Sequence, residues 1–134
     1  MGNPPFKVVI AGSRNFKDYA LLQQKMSNYL QRKLPNVQVI SGTAKGADKL
    51  GERFAGKHGL PLKKYPADWD KYGKRAGYIR NKQMAELADA VVVFWDGKSR
   101  GSKLMIDIAN NLGKPLRIVR FVPNQSLSFV KSGA

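Results

Sequence analysis

Residues 90–95 read AVVVFW, an unbroken apolar run of β-branched and aromatic residues. A strand that is apolar on both sides is typical of the interior of a parallel sheet, whose two faces are covered by helices. Parallel neighbours also require a crossover connection, which is usually a helix. The run therefore predicts an α/β domain with this strand inside its sheet.

Working outward, four more β-rich runs alternate with segments in which apolar residues recur at helical spacing. These runs are KVVIA (7–11), VQVI (37–40), LKKY (62–65) and LRIVRFV (116–122). We predict a single Rossmann-like, doubly wound parallel five-stranded sheet of order 3-2-1-4-5 with helices on both faces. The two lysines of LKKY are typical of an edge strand. The predicted domain spans residues 1–122, and the polar residues 123–134 are predicted to form a weakly ordered C-terminal tail.

Charge sets the first limit on function. The 134 residues include 24 Lys plus Arg and 9 Asp plus Glu, a net charge of +15, which predicts attraction to nucleic acid or to anionic small molecules. With no cysteine and one histidine, the sequence predicts no metal site, and we expect no cofactor. No apolar run approaches the roughly 20 residues that cross a bilayer, so we expect a soluble cytoplasmic protein without a membrane partner.

Three glycine-containing loops should meet where the order of the strands reverses, because ligands of such sheets bind at that point. They cover residues 12–16, 41–48 and 96–102. Backbone N–H groups, hydroxyls and helix N-termini in such loops suit a phosphate group. The standard dinucleotide and P-loop motifs are absent, so another kind of nucleotide pocket is predicted. Its candidate residues are Gly12, Ser13, Arg14, Ser41, Gly42, Thr43, Lys45, Gly46, Asp48, Gly97, Ser99, Gly101 and Ser102.

Residues 65–81 combine aromatic, basic and acidic side chains. Trp69 is predicted either to stack on a base or to pack its loop onto the domain. Arg80 is a candidate for pairing with phosphate, and Asn81 follows it.

Four motifs in this order resemble the YspA-like family of the SLOG superfamily: GSRNF (12–16), SGTAKGAD (41–48), YPADWDKYGKRAGYIRN (65–81) with Met84, and FWDGKSRGS (94–102). That superfamily includes the Smf/DprA DNA-processing proteins and the cytokinin-activating LOG phosphoribohydrolases. The resemblance implies a Rossmann-like domain that senses or processes a nucleotide-derived ligand. It also suits a bacterial or phage protein.

In the hydrolase branch, an arginine and a glutamate attack the N-glycosidic bond of a nucleotide, and the protein is a homodimer. The arginine position resembles Arg80 here. The glutamate position falls on Met105, which has no acid–base chemistry, so whether this protein is an enzyme stays open. The candidates for a substitute carboxylate are Asp48, Asp68, Asp96 and Asp107, and Asp48 is the candidate that would act with Arg80. By analogy with this branch we also expect a homodimer.

Three functions follow from the sequence. The favoured hypothesis is that the protein binds, by sensing, sequestering or processing, a phosphorylated nucleotide-derived small molecule at the carboxyl ends of the strands. One alternative is an N-glycosidic-bond hydrolase of the phosphoribohydrolase type. The other is a single-stranded nucleic-acid binding protein, which would use the positive charge and the aromatic rings.

Overall fold

The computed structural model describes residues 3–123. The strands are β1 (Phe6–Gly12), β2 (Val37–Ser41), β3 (Leu62–Lys64), β4 (Ala90–Trp95) and β5 (Leu116–Arg120). The helices are α1 (Tyr19–Leu30), α2 (Ala47–Lys57), α3 (Trp69–Tyr72), α4 (Ala76–Leu87) and α5 (Arg100–Asn111), and a 3-10 turn spans Gly73–Arg75. The predicted tail, 123–134, lies outside the described residues except for Pro123.

The sheet confirms the predicted topology. All strand pairs are parallel, and the order is β3-β2-β1-β4-β5. Residues Ala90 to Phe94 of β4 are buried, as their unbroken apolar character predicts, whereas Lys63 and Lys64 of the edge strand β3 are exposed. The register pairs Gly12 with Phe94, so β1 and β4 end side by side.

Two apolar clusters separate the helices into two layers. The side chains of α1 and α2 pack on one face of the sheet around Phe16, Phe54 and Phe94. The side chains of α4 and α5 pack on the other face around Met84 and Met105. The chain adds strands on one side of β1 while its helices cover the first face, and on the other side of β1 once they cover the second face. The strand order therefore reverses between β1 and β4.

One element was not predicted. Residues 69–72 form a single helical turn, α3, in a stretch that the sequence analysis treated as a loop. The Asp68 carboxylate accepts a hydrogen bond of 3.1 Å from the backbone N–H of Lys71, and Gly73 ends the turn with a φ of 57°. Such a turn has no apolar periodicity to detect, because it is too short to present a buried face.

Among residues 3–123, no helix combines the length and the apolar character needed to cross a bilayer. In the same part of the chain, no three His, Asp or Glu side chains come together as potential ligands of a metal ion.

Candidate functional site

A cavity of about 350 Å³ opens at the carboxyl ends of β1 and β4. All three predicted loops reach it, together with α4 and the N-terminal turn of α5. It is lined by Ala11, Gly12, Arg14, Asn15, Ala44, Asp48, Arg80, Asn81, Met84, Asp96, Ser99, Gly101, Ser102 and Met105.

Eight of the predicted ligand residues line this cavity: Gly12, Arg14, Asp48, Arg80, Asn81, Ser99, Gly101 and Ser102. The other predicted residues do not line it: Ser13, Ser41, Gly42, Thr43, Lys45, Gly46, Trp69 and Gly97. Three lining residues are not among the predicted ligand residues: Asn15 and Ala44 lie within the predicted loops, and Ala11 directly precedes the first of them. Met84 and Met105 are both buried and part of the lining.

Two glycines allow the loops to approach one another. A Cβ at Gly12 would lie 2.1 Å from the carbonyl oxygen of Phe94, and one at Gly46 would lie 2.3 Å from the carbonyl oxygen of Ser13. Gly46 also has a φ of 79°, which disfavours other residues. These glycines bring the backbone of β1 against β4 and against the start of α2, so the role of Gly46 is to assemble the loops.

Ser99 and Ser102 line the cavity, and Ser13 lies within hydrogen-bonding distance of both without lining it; we call these three serine hydroxyls the hydroxyl wall. Ser13 Oγ lies 3.2 Å from Ser99 Oγ and 3.3 Å from Ser102 Oγ, and Ser99 Oγ donates to Ser102 Oγ at 2.7 Å. Ser13 and Ser102 are buried. With Ser13 donating to Ser99 and Ser99 to Ser102, the hydroxyl hydrogen of Ser102 can point to Ser13 or into the cavity.

Asp96 holds the loop that carries this wall. Its Oδ1 accepts hydrogen bonds from the backbone N–H groups of Lys98 at 2.9 Å and Ser99 at 2.8 Å, and Asn15 Nδ2 donates to its Oδ2 at 3.2 Å. Partial burial acts to raise the pKa of Asp96, but these hydrogen bonds and one from Ser13 hold it below its ordinary value. Asp96 therefore stays ionised and shapes the loop before α5.

A second part of the lining, which we call the charged wall, consists of Asp48 and Arg80. Asp48 lies in the first turn of α2, as predicted, and is only 5% exposed. Its Oδ2 accepts a hydrogen bond of 3.1 Å from the backbone N–H of Ala44. Burial raises the pKa of Asp48 to about 6, a rise that the Ala44 hydrogen bond and the charge of Arg80 limit and that nearby Glu52 increases.

Arg80 projects from α4 toward the loop after β2. Its Nη1 donates to the carbonyl oxygen of Gly42, and its Nε donates to Asn81 Oδ1 at 2.8 Å. Burial lowers the pKa of Arg80, while Asp48 opposes that shift. Within residues 3–123, Nη2 of Arg80 has no hydrogen-bond partner. In the same residues every buried side-chain nitrogen and oxygen has a partner, so Nη2 is not buried and remains accessible to an incoming anion.

Gly42 sets the spacing within the charged wall. A Cβ at that residue would lie 2.9 Å from both Arg80 Nη1 and Asp48 Oδ2. The next residue, Thr43, has a φ of 67°, which is unusual for a β-branched residue, and its N–H donates to Ser41 Oγ at 3.0 Å. Strained backbone of this kind concentrates at functional sites.

The remaining predicted residues have other surroundings. Lys45 is exposed beside the cavity, and Trp69 is 55% exposed on α3. A Cβ at Gly97 would lie 2.3 Å from Nη2 of Arg120, whose guanidinium lies over Trp95. Gly97 thus makes room for a packed side chain.

Together the two walls offer neutral hydroxyl donors and a guanidinium to the same cavity. That combination suits an anion, since hydroxyls and an arginine both donate to phosphate oxygens. A neighbouring carboxylate that is ionised at neutral pH weakens the attraction, and it could also accept a hydrogen bond from a ribose or a base. Met105 lines the cavity at the position where the hydrolase resemblance would need a glutamate.

Comparison with known proteins agrees with this architecture. Residues 6–72 match the YspA, cpYpsA-related SLOG family. The Gene 61 protein of Mycobacterium phage D29 is 32% identical over 117 residues, which cover 82% of this chain and 93% of the phage protein.

Two solved structures share the fold. DNA processing protein A (DprA) from Streptococcus pneumoniae superimposes with a TM-score of 0.68 at 19% identity, over 97% of this chain and 57% of that one. The chain therefore spans little more than half the length of the pneumococcal protein. DprA from Helicobacter pylori, described for its single-stranded DNA binding mode, gives a TM-score of 0.61 at 20% identity over 97% of this chain and 74% of that one. Taken with the sequence matches, the chain belongs to the YspA, cpYpsA-related SLOG family.

Proposed function

We propose that this protein binds single-stranded nucleic acid and receives one nucleotide of the strand in its cavity. The observation that carries the proposal is the meeting of the hydroxyl wall with the accessible Nη2 of Arg80 in one cavity of about 350 Å³. Both groups can donate hydrogen bonds to the oxygens of a phosphate in the same cavity. A chain with a net charge of +15 adds long-range attraction for a polyanion.

The similarity to DNA processing proteins supports the same reading. The Helicobacter pylori relative in fold binds single-stranded DNA, and its fold matches nearly the whole of this chain. An unpaired strand can direct a nucleotide into a cavity, whereas the bases of a duplex are held in its stack.

The test is a titration of labelled oligonucleotides of roughly 4 to 16 nucleotides, followed by fluorescence anisotropy at several salt concentrations. We expect single strands to bind more tightly than duplexes of the same length. The logarithm of the affinity should fall linearly with the logarithm of the salt concentration, because bound phosphates release counterions. Equal affinity for duplex and single strand would contradict the proposal, since the cavity would then play no part.

A second candidate is a phosphorylated nucleotide-derived small molecule. The volume of the cavity favours it, because about 350 Å³ lies within the range of small-molecule sites. Mass spectrometry of molecules released by denaturing the salt-washed protein distinguishes the two. A stoichiometric intact nucleotide derivative would favour the small ligand, and its absence together with oligonucleotide binding would favour the strand.

The hydrolase is the weaker alternative. Met105 supplies no carboxylate, and the acidic group nearest to Arg80 in the cavity is Asp48 on another element. Release of free base from a nucleotide, lost in Arg80→Met, would support it. The expected homodimer stays a prediction, to be checked by light scattering.

A further inference from the structure

We propose that the exposed ring of Trp69 is a second base-binding site, which stacks on the nucleotide next to the one in the cavity. The inference rests on the proposed function and deepens it, because it makes a strand longer than one nucleotide the preferred ligand. Neither the cavity nor its two walls include this ring.

The backbone beneath the ring is well held. Trp69 begins α3, which Asp68 caps at one end, and the N–H of Gly73 closes the other end on the carbonyl oxygen of Trp69. Yet the residue is 55% exposed, an unusual degree for a tryptophan in an ordered turn. A ring that only anchored its loop would be covered by the domain. This one keeps area available for a ligand.

The ring lies close to α4. Trp69 Cη2 lies 3.6 Å from the point that a Cβ on Gly77 would occupy. Gly77 precedes Arg80 by three residues and Asn81 by four, so all three lie on one side of α4. One helical turn of about 5.4 Å separates Gly77 from these two cavity residues along the axis. The ring is therefore near α4 about one helical turn from two residues of the cavity, a separation that adjacent nucleotides can span.

Charge around the ring favours a polyanion over an apolar protein partner. Between residues 63 and 75 the exposed basic side chains are Lys63, Lys64, Lys71, Lys74 and Arg75. Two exposed carboxylates, Asp68 and Asp70, oppose these five, which leaves a surplus of three positive charges. The neighbouring ring of Tyr72 has the Lys71 ammonium 5.2 Å from its centre, whereas no such cation lies over Trp69 among the described residues.

An exposed indole amid basic side chains suits single strands in particular. Every base has a face on which an aromatic ring can stack, and only an unpaired base presents that face. The cavity would hold one nucleotide by its phosphate, and the indole would hold its neighbour by stacking. Together the cavity and the Trp69 ring would distinguish single-stranded from double-stranded nucleic acid, with little dependence on base sequence.

The experiment compares the wild-type protein with Trp69→Leu and Trp69→Phe. We expect Trp69→Leu to lower the affinity for a labelled oligothymidylate by about 5- to 150-fold, the range for losing one stacked base. Competition by thymidine monophosphate should change little, because that ligand occupies the cavity alone. Trp69→Phe should retain most of the affinity, and Leu87→Ala, which alters an exposed residue at the far end of α4, should retain all of it.

Tryptophan fluorescence gives an independent readout. The chain has two tryptophans, so the emission of Trp69→Phe comes from Trp95 alone. Oligothymidylate should quench the wild-type emission and leave that of Trp69→Phe nearly unchanged.

The outcomes separate the two proposals. No binding of oligothymidylate by the wild-type protein would overturn the proposed function. Binding with equal affinity in the wild type and Trp69→Leu would overturn the stacking site and leave the cavity. An equal loss for oligothymidylate and thymidine monophosphate would also overturn it, because Trp69 would then act on the cavity itself.

Discussion

The two walls of the cavity achieve polarity by different means. The hydroxyl wall joins Ser13, from the loop after β1, with Ser99 and Ser102 at the start of α5, and its side chains carry no charge. The charged wall places a carboxylate and a guanidinium around the backbone of Gly42, and burial shifts the pKa of both. Burying a neutral hydroxyl costs little free energy once it is hydrogen-bonded, whereas burying a charged group costs much more unless a charged or hydrogen-bonding partner compensates it.

The difference indicates separate tasks. The hydroxyl wall can accept an anion at any pH, because nothing in it titrates near neutrality. The charged wall can change its net charge when Asp48 takes up a proton. Four variants, ordered from the largest expected effect to the smallest, test this contrast.

Asp48→Asn should have the largest effect, on stability. The pKa of Asp48 rises from 3.8 in a model compound to about 6 in the folded protein, so ionisation of this carboxyl progressively destabilises the fold between about pH 4 and 6. The contribution of the protonated group is fully present below about pH 4 and is lost as the pH rises through 6. As the pH rises from about 4 to 8, the wild type should therefore lose up to about 3 kcal/mol of unfolding free energy relative to Asp48→Asn.

Urea denaturation across this pH range provides the measurement. Asp107→Asn is the matched control, since Asp107 is exposed and paired with Lys103 on the surface of α5. Parallel pH profiles for Asp48→Asn and the wild type would show that Asp48 is not destabilised by burial. A dinucleotide phosphodiester, whose charge is constant in this range, should also bind more tightly to the wild type below pH 6.

Arg80→Met should have the next largest effect, on binding. It removes the only guanidinium of the charged wall and leaves Asp48 without its cation. Affinity for oligothymidylate should fall by about 10- to 150-fold, the range for hydrogen bonds to a charged group. The control is Arg32→Met, an exposed arginine in the turn after α1. If both variants lose affinity equally, net charge rather than the wall accounts for binding.

Ser102→Ala should have a smaller effect. It removes one hydroxyl from the hydroxyl wall and leaves Ser13 and Ser99 able to bond to each other, so the fold should be retained. The affinity for the same oligonucleotide should fall by about 2- to 10-fold, as for a neutral hydrogen bond, and the loss should not depend on pH. Ser27→Ala on α1 is the control. A loss confined to low pH would contradict the division of tasks.

Lys45→Ala should have the smallest effect, because Lys45 is exposed and lies outside both walls. Removing it should weaken binding similarly for all sequences and reduce the slope of log affinity against log salt by about 1. The same salt titration of Lys25→Ala, on α1, provides the comparison. If Lys45→Ala lost as much affinity as Arg80→Met, Lys45 would have to bind a phosphate directly, and the ligand would lie in a different position from the one proposed.

Much of this arrangement could be predicted because its signals are local. The apolar run of β4, the lysines of β3 and the helical spacing between strands depend on residues close together in sequence, and they led to the observed strand order. The same order correctly placed the three loops at one cavity. The turn at Trp69 was missed, since its cap depends on a single carboxylate.

The sequence by itself determined the fold class, the strand order and the edge of the sheet where the cavity opens. Only the tertiary structure decided which loop residues face the cavity and which assemble it, as Gly46 does against Ser13. It also decided the burial of Asp48 and the meeting of Ser13 with Ser102, 89 residues apart. The reason is physical: periodicity is a property of neighbours along the chain, whereas pKa shifts and hydroxyl contacts depend on distances that exist only after the sheet has formed.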